Sequence, residues 1–370
     1  MNKMNKVGII SLYGNNNYGN KLQNYAIQET IKKYGYKVEN IINTPCLNNK
    51  ENNKKEVIKY FTKAYLKKIF CGIEIHSCVD KNDSKEKQNA YLEFNKYINN
   101  SKHFFSFNDL SKYDEYDAFF VGSDQVWNPI YGGLSDLDLL TFTNKKKIAV
   151  SASFGIDKIP KNYVEKAKKY LNKFDGISVR ENKGKEIIQS MLPNKEVEVL
   201  VDPTMLLSND EWNVVAKKPK NYCGKEYILC YFLGEISSNK NEKIKDFAKK
   251  RNLEVINLLD PMCKYKDIGP SEFIYLESHA SLILTDSFHS SVFAILYNVP
   301  FVVYDREGKH NNMNSRIVTL LEKFELSERK YNEEIDFGEM MNINYQNSYN
   351  ILEKERIRYK HFLDKFLRVI

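Results

Sequence analysis

The residues best suited to chemistry form one short run, Thr285-Asp286-Ser287-Phe288-His289-Ser290-Ser291, followed by the apolar stretch Val292–Leu296. Asp and Ser favour the cap position of a helix, and a helix start presents amide hydrogens that have no partner within the helix. An anionic group such as a phosphate is attracted there by aligned N–H dipoles. Asp286, Ser287 and Ser290 are therefore candidate ligand-binding residues. His289, in the first turn, is a candidate to donate to a phosphate oxygen or to exchange a proton. The positive helix end disfavours imidazolium and a bound phosphate favours it, so the run alone leaves the charge state open. It also leaves open a plain reading, in which Asp286 and Ser287 only cap the helix and His289 lies in a polar surface.

Four further residues stand where strands give way to polar loops. Arg180 follows the apolar run Gly176–Val179 and precedes Glu181. A strand-end arginine can clamp a carboxylate or phosphate with two parallel hydrogen bonds; pairing within the sheet is the alternative. The chain carries only eight arginines against 48 lysines, which raises interest in each. Asp124, in Gly122-Ser123-Asp124-Gln125, is a candidate for positioning or deprotonating a sugar hydroxyl, or for ordering its own loop. Ser153 occupies the same strand-end position after Lys147–Ser151. Asn20 closes Gly14-x4-Gly19-Asn20, which is neither a Walker A loop nor G-x-G-x-x-G, yet suits a tight polar turn. No His-x-x-x-His spacing occurs, and the other histidines lack partners in sequence, so no metal is expected.

These residues need elements to hold them. Val7–Leu12, Tyr36–Ile42, Ala118–Val121, Lys147–Ser151, Gly176–Val179 and Val197–Val201 are predicted strands, with helices over Tyr163–Leu171 and Asn182–Ser190 between them. A second cycle begins at Tyr227–Leu233. It continues through a helix at Asn241–Lys250, strands at Leu253–Leu258, Leu282–Thr285 and Val299–Tyr304, and helices at Ser315–Phe324 and Ile351–Leu367. Strands alternating with helices predict parallel sheets of the α/β class, whose ligands gather outside the carboxyl ends of the strands. At 370 residues the chain exceeds what one core usually serves. The expected organisation is an N-terminal Rossmann-like domain over 1–210 and a C-terminal one over 225–350. The stretch Ser208–Gly224 is the junction, and a terminal helix over 351–370 packs across the domains or pairs subunits. Residues 46–110 are rich in Lys, Asn and Glu. They are expected to be an insertion or lid with helices at Val57–Phe70 and Glu86–Ile98.

Composition narrows the class. The net charge is +8, from 56 basic and 48 acidic residues. Most of the excess is lysine mixed with acids along the chain, a solvating pattern and not the concentrated stripe of a nucleic-acid binder. The six cysteines form no C-x-x-C, which argues against a disulfide framework or zinc site. With no apolar stretch near 18 residues and no leader-like start, a cytoplasmic protein is expected.

The segments GNNNYGNKLQNYAIQ (14–28), FFVGSDQVWN (119–128), SASFG (151–155), SVRE (178–181), VDPT (201–204), GPSEF (269–273), TDSFHSSVFAILYNVPFVV (285–303) and NMNSR (312–316) occur in this order. Together they resemble the polysaccharide pyruvyl transferase family. The resemblance implies two Rossmann-like domains in an arrangement similar to the GT-B glycosyltransferases, with an interdomain cleft. It implies transfer of a pyruvyl group from phosphoenolpyruvate to hydroxyls of a cell-surface polysaccharide or its precursor, forming a pyruvate ketal without a further cofactor. It assigns a donor contact to His289 and a donor-holding arginine to Arg180. The family more often has glycine after SFH, where Ser290 stands here. The expected acceptor is a saccharide or lipid-linked sugar, with peripheral association to polysaccharide assembly machinery at the inner face of the membrane. Acceptor identity and oligomeric state are not legible. Two alternatives stay open: a GT-B-like glycosyltransferase using a nucleotide sugar, and a non-catalytic glycan-binding or assembly protein.

Overall fold

The computed structural model describes residues 5–12, 17–43, 62, 84–307 and 315–367. In chain order the strands are β1 Lys6–Ile10, β2 Lys37–Asn40, β3 Ala118–Val121, β4 Lys146–Ala152, β5 Gly176–Val179, β6 Glu198–Val199, β7 Tyr227–Tyr231, β8 Glu254–Asn257, β9 Leu282–Thr285 and β10 Phe301–Val303. The α-helices are α1 Tyr18–Lys32, α2 Lys85–Phe94, α3 Lys161–Leu171, α4 Asn182–Met191, α5 Asn209–Asn213, α6 Ser238–Arg251, α7 Pro270–Ser278, α8 Phe288–Tyr297, α9 Ser315–Lys323, α10 Phe337–Met340 and α11 Gln346–Leu367. The expected helix over 57–70 and the rest of 46–83 lie outside the described residues, apart from the helical Thr62.

The chain divides into two compact units, one comprising 1–83, 95–206 and 358–370, the other 84–94 and 207–357. Each has its own parallel sheet. The first runs β2-β1-β3-β4-β5-β6 and the second β10-β9-β7-β8. Every strand pair in both sheets is parallel. Strands β3, β5 and β9 are buried along their whole length, as expected when helices cover both faces. This is why their sequences are continuous apolar runs and not alternating ones.

The two strand orders share one logic. In each sheet the second strand in sequence lies on one side of the first and the third on the other. That creates a topological switch point between β1 and β3, and another between β7 and β9. At such a point the loops leaving adjacent strands diverge and open a crevice at their carboxyl ends. Asp124 follows β3 and His289 follows β9, so each candidate stands beside a switch point of its own unit.

Two boundaries differ from those expected. Helix α2, placed by sequence in an insertion of the first domain, belongs to the second unit. Its Tyr91 and Phe94 are buried, Ser84 Oγ donates to Asp267 Oδ1 at 2.5 Å, and Lys217 pairs with Glu93 at 3.0 Å. The segment from Ser208 is likewise no linker. Ser208 and Glu211 form a reciprocal capping box on α5, and Trp212 is fully buried against Phe293, ring centroids 5.1 Å apart. Its charged residues solvate one face while one large ring anchors it. The last helix is shared. Lys323 pairs with Glu355 at 2.8 Å in the second unit, while Tyr359, Phe362, Leu363 and Leu367 are buried with the first.

Candidate functional site

In the second unit the chemistry is set by the turn from β9 into α8. Thr285 Oγ1 donates to the carbonyl of Tyr231 at 2.6 Å and accepts from Ser287 N at 2.9 Å. Ser287 takes the extended backbone of an N-cap, and its hydroxyl accepts from Ser290 N at 3.5 Å. Its carbonyl accepts from the Ser291 hydroxyl at 3.0 Å. The helix that follows is buried from Phe288 to Leu296. Each large apolar side chain on it contributes about 1.5–3 kcal/mol through burial, so the first turn is rigidly seated. His289 lies in that turn, 7% exposed. Its ring meets Phe288 edge-on, at 5.4 Å between centroids.

Asp286 is held by groups of the protein itself. Its Oδ1 accepts from Leu233 N at 2.6 Å, and its Oδ2 from Gly234 N at 2.7 Å. Arg306, just after β10, adds a third contact, Nε to Oδ2 at 3.2 Å, and donates from Nη2 to the Asp286 carbonyl at 3.1 Å. The carboxylate thus ties the loops after β7, β9 and β10 together at the switch point. It is spent on protein amides and a guanidinium, which makes it a brace for the crevice. Gly234 is required by this closeness: a Cβ there would lie 2.7 Å from the Glu307 carbonyl and 3.1 Å from Asp286 Oδ2.

Ser290 is fully buried and its hydroxyl makes no hydrogen bond. It faces Glu277 of α7, a carboxyl that is itself fully buried, and the contact falls short of hydrogen-bond geometry. Burial raises the Glu277 pKa well above the usual carboxylate range, against a smaller lowering by the Ser290 hydroxyl.

In the first unit Arg180, Asp124 and Ser153 are brought together as one buried network. Arg180 Nη1 lies 2.7 Å from Asp202 Oδ2, and Nη2 lies 3.1 Å from Asp124 Oδ1. Ser123 Oγ donates to Asp202 Oδ2 at 2.9 Å, and Thr204 N and Oγ1 donate to Oδ1 at 3.0 and 2.8 Å. Ser153 Oγ donates to Glu181 Oε1 at 2.8 Å, joined there by Phe154 N at 3.1 Å. Burial alone would lower the Arg180 pKa, but the fields of Asp124, Asp202 and Glu181 outweigh it and raise it. One positive charge thus faces three carboxylates. In this arrangement Arg180 secures Asp124 in place through the 3.1 Å contact. Both arms of the Arg180 fork engage carboxylates of the protein, and Ser153 holds Glu181.

Backbone geometry supports the network. Asp124 adopts φ 61°, a left-handed conformation, and its carbonyl accepts from Ser153 N at 2.9 Å. Gly122 has φ 123°, and a Cβ there would come within 2.3 Å of the Val150 carbonyl. Asn20 lies in the first turn of α1, capped by Asn17, whose side chain accepts from Asn20 N. Gln23, one turn on, accepts from Ser123 N at 2.8 Å and so bridges α1 to the β3 loop at the switch point. Residues 13–16 of the glycine-flanked loop, and His310, lie outside the described residues.

Sequence reading passed over Asp202, Arg306 and Glu277. Asp202 and Arg306 were signalled by their place after strands. Glu277 carried no signal, because an acid near a helix end normally solvates a surface. Among the described residues, no group of three or more His, Cys, Asp or Glu is placed to hold a metal ion, and no helix is long and apolar enough to cross a membrane.

A family model described as polysaccharide pyruvyl transferase matches residues 17–308. No curated protein matches. Solved structures that align along nearly the whole chain include UDP-GlcNAc 2-epimerase from Neisseria meningitidis bound to UDP-GlcNAc. It shows 14% identity, 98% of this chain and 100% of that one covered, and a TM-score of 0.46. The Arabidopsis thaliana UGT89C1 complexed with quercetin shows 10% identity, 99% coverage of both chains and a TM-score of 0.45. UDP-N-acetylglucosamine 2-epimerase from Rickettsia bellii shows 13% identity, 100% and 98% coverage and a TM-score of 0.44.

Proposed function

The chain belongs to the polysaccharide pyruvyl transferase family, and on that premise we propose that it moves a pyruvyl group from phosphoenolpyruvate to two hydroxyls of a saccharide acceptor. The observation that carries this reading is His289, held in the first turn of a buried helix at the switch point of the second sheet. That turn suits a small anion through its amide dipoles, and Arg306 is the nearby cation, bonded to Asp286.

The reaction balances as follows. A proton adds to the terminal enol carbon, which becomes the methyl group. One acceptor hydroxyl oxygen bonds to the adjacent carbon. The second hydroxyl oxygen bonds to the same carbon as its bond to the phosphate oxygen breaks. Of the two hydroxyl protons, one replaces the proton spent on carbon and the other leaves with inorganic phosphate. In this reading His289 delivers the proton or stabilises the departing phosphate. Asp124 accepts from an acceptor hydroxyl, and Arg180 holds that carboxylate in place. The family name supports a polysaccharide acceptor; we extend the proposal to a cell-surface glycan such as capsule, exopolysaccharide or cell-wall glycan or a lipid-linked precursor, made beside membrane-bound assembly machinery.

A second reading keeps the architecture and changes the donor. Two parallel sheets, each with a switch-point crevice, serve nucleotide sugars as readily as phosphoenolpyruvate. Purified protein incubated with either donor and with extracted glycan precursors separates the readings. Inorganic phosphate release with a product mass matching a pyruvate ketal supports pyruvyl transfer, whereas nucleotide release supports the other donor. Turnover of neither, with glycan still bound, refutes both. His289→Ala is expected to lower phosphoenolpyruvate-dependent turnover by about 10²-fold or more with an unchanged melting profile; full activity removes His289 from the chemistry.

A further inference from the structure

The second unit contains a polar pair that its core packing does not explain. Glu277 lies on α7, one residue before the helix ends, and is 0% exposed. Neither carboxyl oxygen makes a hydrogen bond among the described residues. Ser290, on the neighbouring helix α8, is also 0% exposed with its hydroxyl unbonded, and it is the hydroxyl that faces the carboxyl. Glu277 lies near enough to Tyr227 and Tyr231 of β7 to raise both, and Asp286 and Arg306 also act on Tyr231. Tyr227 gives its hydroxyl hydrogen to the Leu276 carbonyl at 2.8 Å, so it does not serve Glu277.

A buried polar group without partners costs about 1–3 kcal/mol, more for an acid. A leucine or glutamine in place of Glu277 would avoid the penalty of an acid at that position. Retaining the acid beneath the first turn of α8 therefore needs a use that stability does not provide. Ser290 is the third residue of that turn, directly after His289 and bonded through its amide to the cap Ser287. A hydroxyl at this place has one hydrogen to give. If the oxygen accepts from the acid behind it, that hydrogen is turned toward the helix start.

We propose that Glu277 is a positioning residue for the anion site: its side chain donates to Ser290 Oγ, and the Ser290 hydroxyl then points its hydrogen at an anion bound by the first turn of α8. The inference rests on the reading of that turn as the donor site, but it concerns any phosphate-bearing ligand there. Only the protonated acid performs this task, and burial favours that form of Glu277. Ionisation would remove the donated hydrogen and put a negative charge behind the anion.

The test uses the full chain and inorganic phosphate as probe, with affinity read by calorimetry and folding by thermal melting. Glu277→Leu and Ser290→Ala are each expected to weaken phosphate binding by about 10-fold, the value of one hydrogen bond to a charged group. The double variant should be no more than 2-fold weaker than either single variant, because both remove the same bond. Glu277→Gln keeps a donor and is expected to recover affinity to within 3-fold of wild type. With phosphoenolpyruvate, the losses should appear in KM with kcat changed less than 3-fold. Additive losses, unchanged phosphate affinity in Glu277→Leu, no recovery in Glu277→Gln, or a wild type that binds no phosphate would each overturn the proposal. The predicted phosphate pattern without phosphoenolpyruvate turnover would end the donor reading and leave this inference standing.

Discussion

Replacing Glu277 by glutamine should make the second unit more stable at neutral pH, and the gain should grow with pH. In the unfolded chain Glu277 ionises near 4.5, whereas in the fold burial keeps it protonated to well above that value. The folded state therefore holds one more proton than the unfolded state between those two points. Its stabilising effect is complete below pH 4.5, falls as pH rises, and levels off once the folded-state value is passed. Within the window the wild type loses about 1.4 kcal/mol per pH unit at this site, while the glutamine variant loses none there. From pH 4.5 up to the folded-state value the difference between the two proteins should widen by about 1.4 kcal/mol per pH unit, or roughly 3–6 °C in the melting temperature of a unit this size. The assay is calorimetric melting of both proteins at several pH values, following the transition of the second unit. Parallel melting curves across that range would refute the reasoning. They would mean that the carboxyl is ionised in the fold, through water or a counter-charge that reaches it.

The remaining predictions concern the two switch points. Arg180→Met should strand Asp124 and Asp202, paired to it at 3.1 and 2.7 Å, and cost the first unit about 3–5 kcal/mol. A calorimetric transition of that unit unchanged within 2 °C would show the network to be open to solvent. Gly234→Ala should force the loop after β7 away from Glu307 and Asp286, costing about 1–3 kcal/mol and weakening phosphate binding. Wild-type affinity in that variant would separate the Asp286 brace from the anion site.

How far the sequence carried differs between its parts. The strands of both units and the helices around the candidate site fall close to their expected places, because long apolar runs closed by polar loops leave little choice of element. Helix α11 starts at Gln346, five residues before the apolar pattern becomes visible, with the Asn344 side chain accepting from Gln346 N at 2.9 Å. Helix α2 was seen over much of its length but assigned to the wrong unit. Nothing local records that the buried faces of Tyr91 and Phe94 are served by residues more than a hundred positions away.

From sequence alone came the residues with chemical capacity, their place after strands, the parallel α/β class and the family. These follow from local grammar: which side chains cap, which runs are buried on both faces, and which loops recur in order. Tertiary structure alone decided how those residues are spent. Arg180 is enclosed by carboxylates from Asp124 and Asp202, which arrive after other strands; Asp286 becomes a brace because the β7 loop brings two amides to it. Glu277 became visible as a buried acid only when α7 packed on α8. A side chain's charge state and partners depend on what surrounds it in space, and in a parallel sheet those surroundings come from segments that are far apart in the chain.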